Sequence, residues 1–154
     1  MTELTPLNLP EYQFRFRSSG VKEEIFDPVR KKFIVLTPEE WVRQNIVQYL
    51  INSLNVPQSL MVIEKSLVLN RMKKRADVLI YNFSGEPLMI VECKAPGVRI
   101  TQKTFDQVAR YNMVFKVKFL LVTNGLEHFI CTVNFNDSTY SFLTQIPDYA
   151  QMKN

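Results

Sequence analysis

Apolar residues recur at Val42, Ile46, Tyr49, Leu50 and Leu54, the three-and-four spacing of a helix with one buried face. Its start is marked: Thr37 is a suitable cap, Pro38 fits the first helical position, and Glu40 completes a capping box. Asn55-Val56-Pro57 ends it. Beyond that point the period shortens. Residues 60–69, 76–82 and 88–95 read as three strands, and 101–115, after Pro96-Gly97, as a second helix. Residues 118–123 form an apolar strand closed by Asn124-Gly125, and 128–135 and 140–143 read as further strands. Ahead of the first helix, 12–17 and 21–26 alternate around Ser18-Ser19-Gly20 as a small hairpin, and 31–36 leads, extended, into the main domain. This order of helix, antiparallel three-stranded meander, crossover helix and strand predicts an α/β chain with a mixed sheet and helices packed on it. We expect one domain overall, with an extension over 1–36 packed on a core over 37–154.

Composition narrows the classes. Of 154 residues, 46% are hydrophobic and 12% aromatic, enough for a real core. No apolar run approaches the ~18–20 residues of a membrane helix, and the first residues have neither the basic start nor the apolar stretch of a secretory signal. Cys93 and Cys131 lie far apart without metal-ligand spacing, so they read as reduced, buried thiols of a cytoplasmic protein. No internal repeat occurs, and four glycines leave no nucleotide-binding loop. A net charge of +4 favours a polyanionic partner.

The candidate chemistry lies in the stretch from Arg75 to Pro96. With Ser84-Gly85 as the tip of a hairpin, position i faces position 169 − i, and Asp77 stands opposite Glu92. Opposed residues share a sheet face, and Lys94, two beyond Glu92, lies on it as well. That face otherwise carries Leu79, Tyr81, Leu88 and Ile90. Two carboxylates among apolar neighbours repel and drive one pKa upward; a divalent cation between them removes the conflict. The two carboxylates, the Cys93 backbone carbonyl and waters suit the oxygen shell of Mg²⁺, with Mn²⁺ as a substitute. Lys94 could then orient a water and steady a phosphorus centre, so every part of phosphodiester hydrolysis is present. A Glu-x-Lys at a strand end also fits a solvated rim with a surface ion pair.

Asp77…Glu92-x-Lys94, followed by a helix bearing Gln107-x-x-x-Tyr111, resembles the PD-(D/E)xK nuclease superfamily. Leu36-Thr-Pro-Glu-Glu-Trp-Val-Arg-Gln44, Lys74-Arg-Ala-Asp77, Val91-Glu-Cys-Lys-Ala-Pro96, Gln107-Val-Ala-Arg-Tyr-Asn112 and Leu121-Val-Thr-Asn-Gly125, in that order, resemble the N-terminal domain of type I restriction enzyme R subunits. Ala76 stands where the superfamily's eponymous proline belongs.

The resemblance implies a restriction-endonuclease-like core and a Mg²⁺-dependent DNA endonuclease. Asp77 and Glu92 would ligate metal, and Lys94 would serve water and phosphate. Gln107 and Tyr111, on one helical face, would support the site or touch the DNA backbone. Many relatives add a glutamate from the first helix. At about 100° per residue, Glu39 falls within about 20° of the centre of the apolar face and Glu40 about 120° away, so Glu39 is the expected ligand. Arg71, Lys73, Lys74 and Arg75 would hold phosphates flanking the scissile bond, or form a solvated turn. Nothing like a helix-turn-helix or zinc finger is present, so base-specific reading is not expected. His128, the single histidine, and Trp41 read as structural. The expected partners are DNA and other restriction-modification subunits or a motor protein, with no membrane, and the chain is a stand-alone relative or a fragment. A non-cleaving DNA-binding or assembly module of the same fold is the alternative.

Overall fold

The computed structural model describes residues 3–154; the first two residues of the expected extension lie outside them. Strands β1 (Phe16–Ser19), β2 (Lys22–Asp27) and β3 (Lys32–Val35) form a three-stranded antiparallel sheet. The hairpin expected around Gly20 is its first half. Residues 32–35, read as a plain extended lead, pair with β2 from Glu24↔Val35 to Asp27↔Lys32. The Asp27 carboxylate makes this turn by accepting from the Val29 and Arg30 amides at 2.8 and 2.9 Å.

Helix α1 (Pro38–Asn52) starts where its signals place it, with Thr37 Oγ1 accepting from the Glu40 amide at 3.0 Å. The second half of the capping box is not made. Glu40 is buried, and its carboxylate is engaged by Arg43 and Gln44 further along the helix. A 3-10 turn (Gln58–Leu60) leads into β4 (Met61–Leu69), β5 (Met72–Tyr81) and β6 (Pro87–Cys93). Helix α2 (Gln102–Phe115) is capped by Thr101, and its chain leaves through Lys116 in the left-handed region. It carries the chain across to β7 (Phe119–Thr123), which pairs in parallel with β6. Strands β8 (His128–Asn134) and β9 (Thr139–Phe142) complete a six-stranded sheet of order β4-β5-β6-β7-β8-β9. All its other pairings are antiparallel.

This mixed α/β architecture is the expected one, and burial explains it. Strands β6 and β7 are central, so both faces are covered and their sequences run almost continuously apolar. One face packs Val78, Ile80, Met89, Val91, Cys93 and Leu121 against Val42, Ile46 and Leu50 of α1. The other packs Leu79, Ile90, Leu120 and Val122 against Phe105, Val108 and Ala109 of α2. A short last helix, α3 (Tyr149–Met152), lies outside the expected elements, although Asp148 and Gln151 form a capping box at its start. It docks on the α1 side, its Tyr149 amide donating to Leu54 O at 2.8 Å and its hydroxyl to Tyr81 O at 3.1 Å.

The leading segment is strapped to the core. Trp41 Nε1 donates to Thr5 O at 2.9 Å, the Asn8 amide donates to Gly125 O at 2.8 Å, and His128 Nε2 meets Asn8 O at 2.9 Å. Gly125 has φ +85°, and a Cβ there would stand 2.7 Å from Leu7 Cδ2. Both nitrogens of His128 are occupied, the second by Thr123 Oγ1 at 2.7 Å, which fits its structural reading. No helix among the described residues is long and apolar enough to cross a membrane.

Candidate active site

Strands β5 and β6 set the geometry. Val78↔Val91, Leu79↔Ile90 and Ile80↔Met89 obey the 169 − i count, and one step further stand Asp77 and Glu92. The tip departs from it. Tyr81 pairs with Pro87 through a bulge, because the Asn82 side chain closes a longer loop by accepting from the Ser84 and Glu86 amides, both at 2.9 Å.

The expected sharing of one face by Asp77, Leu79 and Glu92 does not hold: Asp77 turns to the α1 side, while Glu92 stays with Ile90 on the α2 side. Ala76 packs in the α2 cluster and Val78, two residues on, in the α1 cluster. The alternation therefore slips at Asp77. The ladder is interrupted at the same point: Glu64, across from Asp77, has φ +56°, and the β4–β5 pairs skip from Ile63↔Val78 to Lys65↔Ala76 with the register unchanged. The slip turns Asp77 toward α1. Its Oδ1 accepts from Arg43 Nη1 at 3.0 Å and its Oδ2 from the Cys93 amide at 2.7 Å. Glu92 stays in phase with Ile90 and meets Lys74, whose ammonium lies 3.1 Å from Oε2 and 5.3 Å from the centre of the Tyr111 ring on α2. Lys94 Nζ is 3.6 Å from Glu92 Oε1.

The two acids nonetheless feel each other. Burial and then the negative charge of Glu92 push the Asp77 carboxyl up to about 6, against the Cys93 amide and Arg43, which lower it; Glu39 adds to the rise. Glu92 Oε2 is buried, and Lys74 is at hydrogen-bonding distance but not aligned to donate, so the oxygen has no hydrogen bond. Among the described residues no three Asp, Glu, His or Cys side chains converge as a ready ligand set. Two carboxylates are what Mg²⁺ commonly takes, with waters completing its shell. The oxygen open to such an ion is the buried Glu92 Oε2, which has no hydrogen bond; both Asp77 oxygens already accept, from Arg43 and from the Cys93 amide.

Arg43 escaped the sequence reading, although its position four residues after Glu39 puts it on the same helical face. Its buried guanidinium touches three carboxylates: Glu40 at 2.6 Å, Glu64 at 3.2 Å and Asp77 at 3.0 Å. Arg30, from the small sheet, joins Asp27, Glu40 and Glu64 at 2.6, 3.3 and 3.4 Å. Burial alone would raise Glu40, but hydrogen bonds from Arg43 and Gln44 and the charges of Arg43 and Arg30 hold it below the usual range.

The other candidates scatter. Glu39 is exposed, and only its charge reaches Asp77. The Cys93 thiol is buried in the α1 cluster, while its amide faces Asp77. Tyr111 borders the site through Lys74; Gln107 is exposed and makes no side-chain hydrogen bond among the described residues. The basic run begins in the turn, at Arg71, and continues into β5 from Lys73 on. Lys74 serves Glu92, Arg75 binds Glu64 at 2.7 Å, and Arg71 and Lys73 are exposed. Both cysteines are free and buried, and burial pushes Cys131 up to about 12.

Comparison with known proteins gives one family. The model of the type I restriction enzyme R protein N terminus matches residues 38–147. No curated protein matches the chain. A solved fragment assigned as an HsdR subunit of a type I restriction enzyme from Vibrio vulnificus YJ016 is similar at 26% identity, with a TM-score of 0.39. That similarity covers 60% of this chain, and the chain spans only 18% of the other.

Proposed function

The chain belongs to the family of type I restriction enzyme R protein N termini, and from that premise we propose that it is a Mg²⁺-dependent DNA endonuclease domain. The observation that carries this reading is the pair Asp77 and Glu92 at one strand end, mutually repelling, with the Lys94 ammonium beside them. Asp77 and Glu92 would hold the ion. Mg²⁺ supplies Lewis acidity toward a phosphate and offsets the charge that grows on it.

The chain's own groups do the rest. The Cys93 amide and Arg43 hold the Asp77 carboxylate at fixed points, so little reorganisation is needed when it loses its proton. Lys94, with a side chain 31% exposed, extends from Glu92 toward solvent, where it can orient water and donate to a phosphoryl oxygen. Lys74 adds a second positive charge beside Glu92, and Tyr111 backs it. DNA, and other restriction-modification subunits or a motor protein, are the partners this reading entails.

Isothermal titration with Mg²⁺ or Mn²⁺ tests it. Asp77→Ala and Glu92→Ala should each abolish binding, and unchanged affinity in both removes the basis of the site. Supercoiled plasmid should be nicked by the native chain and not by Lys94→Ala. A second reading, a non-cleaving DNA-binding or assembly module, draws on the cations already seated on both carboxylates, Arg43 on Asp77 and Lys74 on Glu92. Metal-independent DNA binding without nicking would select it.

A further inference from the structure

Strand β5 outruns its neighbour. It pairs with β6 only over Val78–Tyr81, yet with β4 it continues through Lys65↔Ala76, Ser66↔Arg75, Leu67↔Lys74, Val68↔Lys73 and Leu69↔Met72. Past the strand end that carries Asp77 and Glu92, the sheet therefore continues as a two-stranded ribbon about 17 Å long, at about 3.4 Å per pair. Its root is anchored, Leu67 against the α2 cluster and Lys74 over Tyr111. Its tip turns through Asn70 and Arg71, both in the left-handed region at φ 51° and 69°, the pattern of a tight type I′ hairpin.

The ribbon's surface does not serve folding. Val68 is 67% exposed, Leu69 40% and Met72 39%, on an element that is only marginally stable unaided. Five cations line it: Lys65, Arg71, Lys73, Lys74 and Arg75. Lys74 and Arg75 are committed to Glu92 and Glu64 at the root. Arg71 and Lys73, at the tip, are exposed and in no ion pair among the described residues.

We propose that this ribbon is an arm that enters a groove of duplex DNA, with Arg71 and Lys73 on the flanking phosphates and Leu69 and Met72, a cross-strand pair on one face, against the base edges. The proposal rests on the nuclease reading in taking DNA as the polyanion next to the site. A two-stranded ribbon fits the major groove, about 12 Å wide, and phosphate contacts with an apolar tip are how such elements dock or wedge. The arm would set the register of the duplex against Asp77 and Glu92 through the continuous strand β5.

Fluorescence anisotropy with a labelled blunt duplex, in EDTA so that nothing is cut, tests the arm apart from catalysis. Arg71→Gly with Lys73→Ser keeps the turn, since glycine suits that φ. It should weaken binding and reduce the slope of log affinity against log salt by about 1.8, from two phosphate contacts at about 0.9 each. Leu69→Ser with Met72→Ser should weaken binding several-fold and leave that slope unchanged. Thermal melting confirms that both variants fold. Native affinity in both variants overturns the arm. So does native binding to phosphatidylserine vesicles that the Leu69/Met72 variant loses while it keeps duplex binding; the tip is then a membrane contact. Should the variants lose duplex binding while the native chain never nicks plasmid, the arm stands and the nuclease reading falls.

Discussion

Replacing Asp77 by Asn should stabilise the metal-free protein at neutral pH. The Asp77 carboxyl is pushed from 3.8 to about 6, chiefly by burial and then by Glu92. That displacement of about two units corresponds to about 3 kcal/mol by which folding disfavours the charged form. Its side chain is only 15% exposed, so solvent screening removes little of this. An Asn oxygen can still accept from the Cys93 amide, but the Asn amide sits less well against Arg43, so a gain of about 1–3 kcal/mol is expected. At this chain length that is roughly 2–4 °C of melting temperature per kcal/mol. The sign follows from linkage. The folded state holds the Asp77 proton more tightly than the unfolded state, so the native chain loses stability as pH rises from about 4 through about 6. The advantage of Asn is therefore complete above about pH 6 and fades as pH falls toward 3.8. Urea unfolding of both proteins in EDTA, at about pH 8 and about pH 4, measures it. An Asn variant less stable than the native chain at the higher pH, or a gap that does not shrink at the lower, refutes the reasoning.

Other outcomes follow from the same structure. Arg43→Met leaves Glu40, Glu64 and Asp77 short of a buried cation and should cost about 3–5 kcal/mol in urea unfolding; a loss under about 1 kcal/mol would mean that the network contributes little. Gly125→Ala forces a left-handed Cβ against Leu7 and should cost at least about 1–2 kcal/mol, and it should expose the strapped leading segment to limited proteolysis. Mg²⁺ affinity by calorimetry should fall up to about tenfold per pH unit below about 6, as Asp77 keeps its proton, and a flat profile would argue that Asp77 is no ligand. Iodoacetamide should modify neither cysteine of the native protein at mildly alkaline pH, by mass spectrometry, since both are buried and their thiolates disfavoured.

Much of this was legible in the chain because it is local. Thr37-Pro38 starts α1, the 169 − i count follows from strand length on either side of Ser84-Gly85, and Pro96-Gly97 separates β6 from α2. These signals need only neighbours in sequence, and they suffice to bring Asp77 and Glu92 to one strand end. Lys94 follows by being two residues from Glu92. The basic run announced its turn at Arg71 but not the strand that follows, because lysines and arginines carry no burial period and an exposed ribbon imposes none.

What only the tertiary structure decided is how the charges are partnered. Arg43 meets Asp77 across 34 positions of sequence, and Glu64 joins them from a third element, strand β4. The slip at Asp77 stands opposite a left-handed residue on β4, a feature that no pattern within β5 announces. Alternation and capping are properties of one or two adjacent segments. The direction of the Asp77 carboxylate depends on α1, β4 and β6 at once, and it exists only after all three have packed.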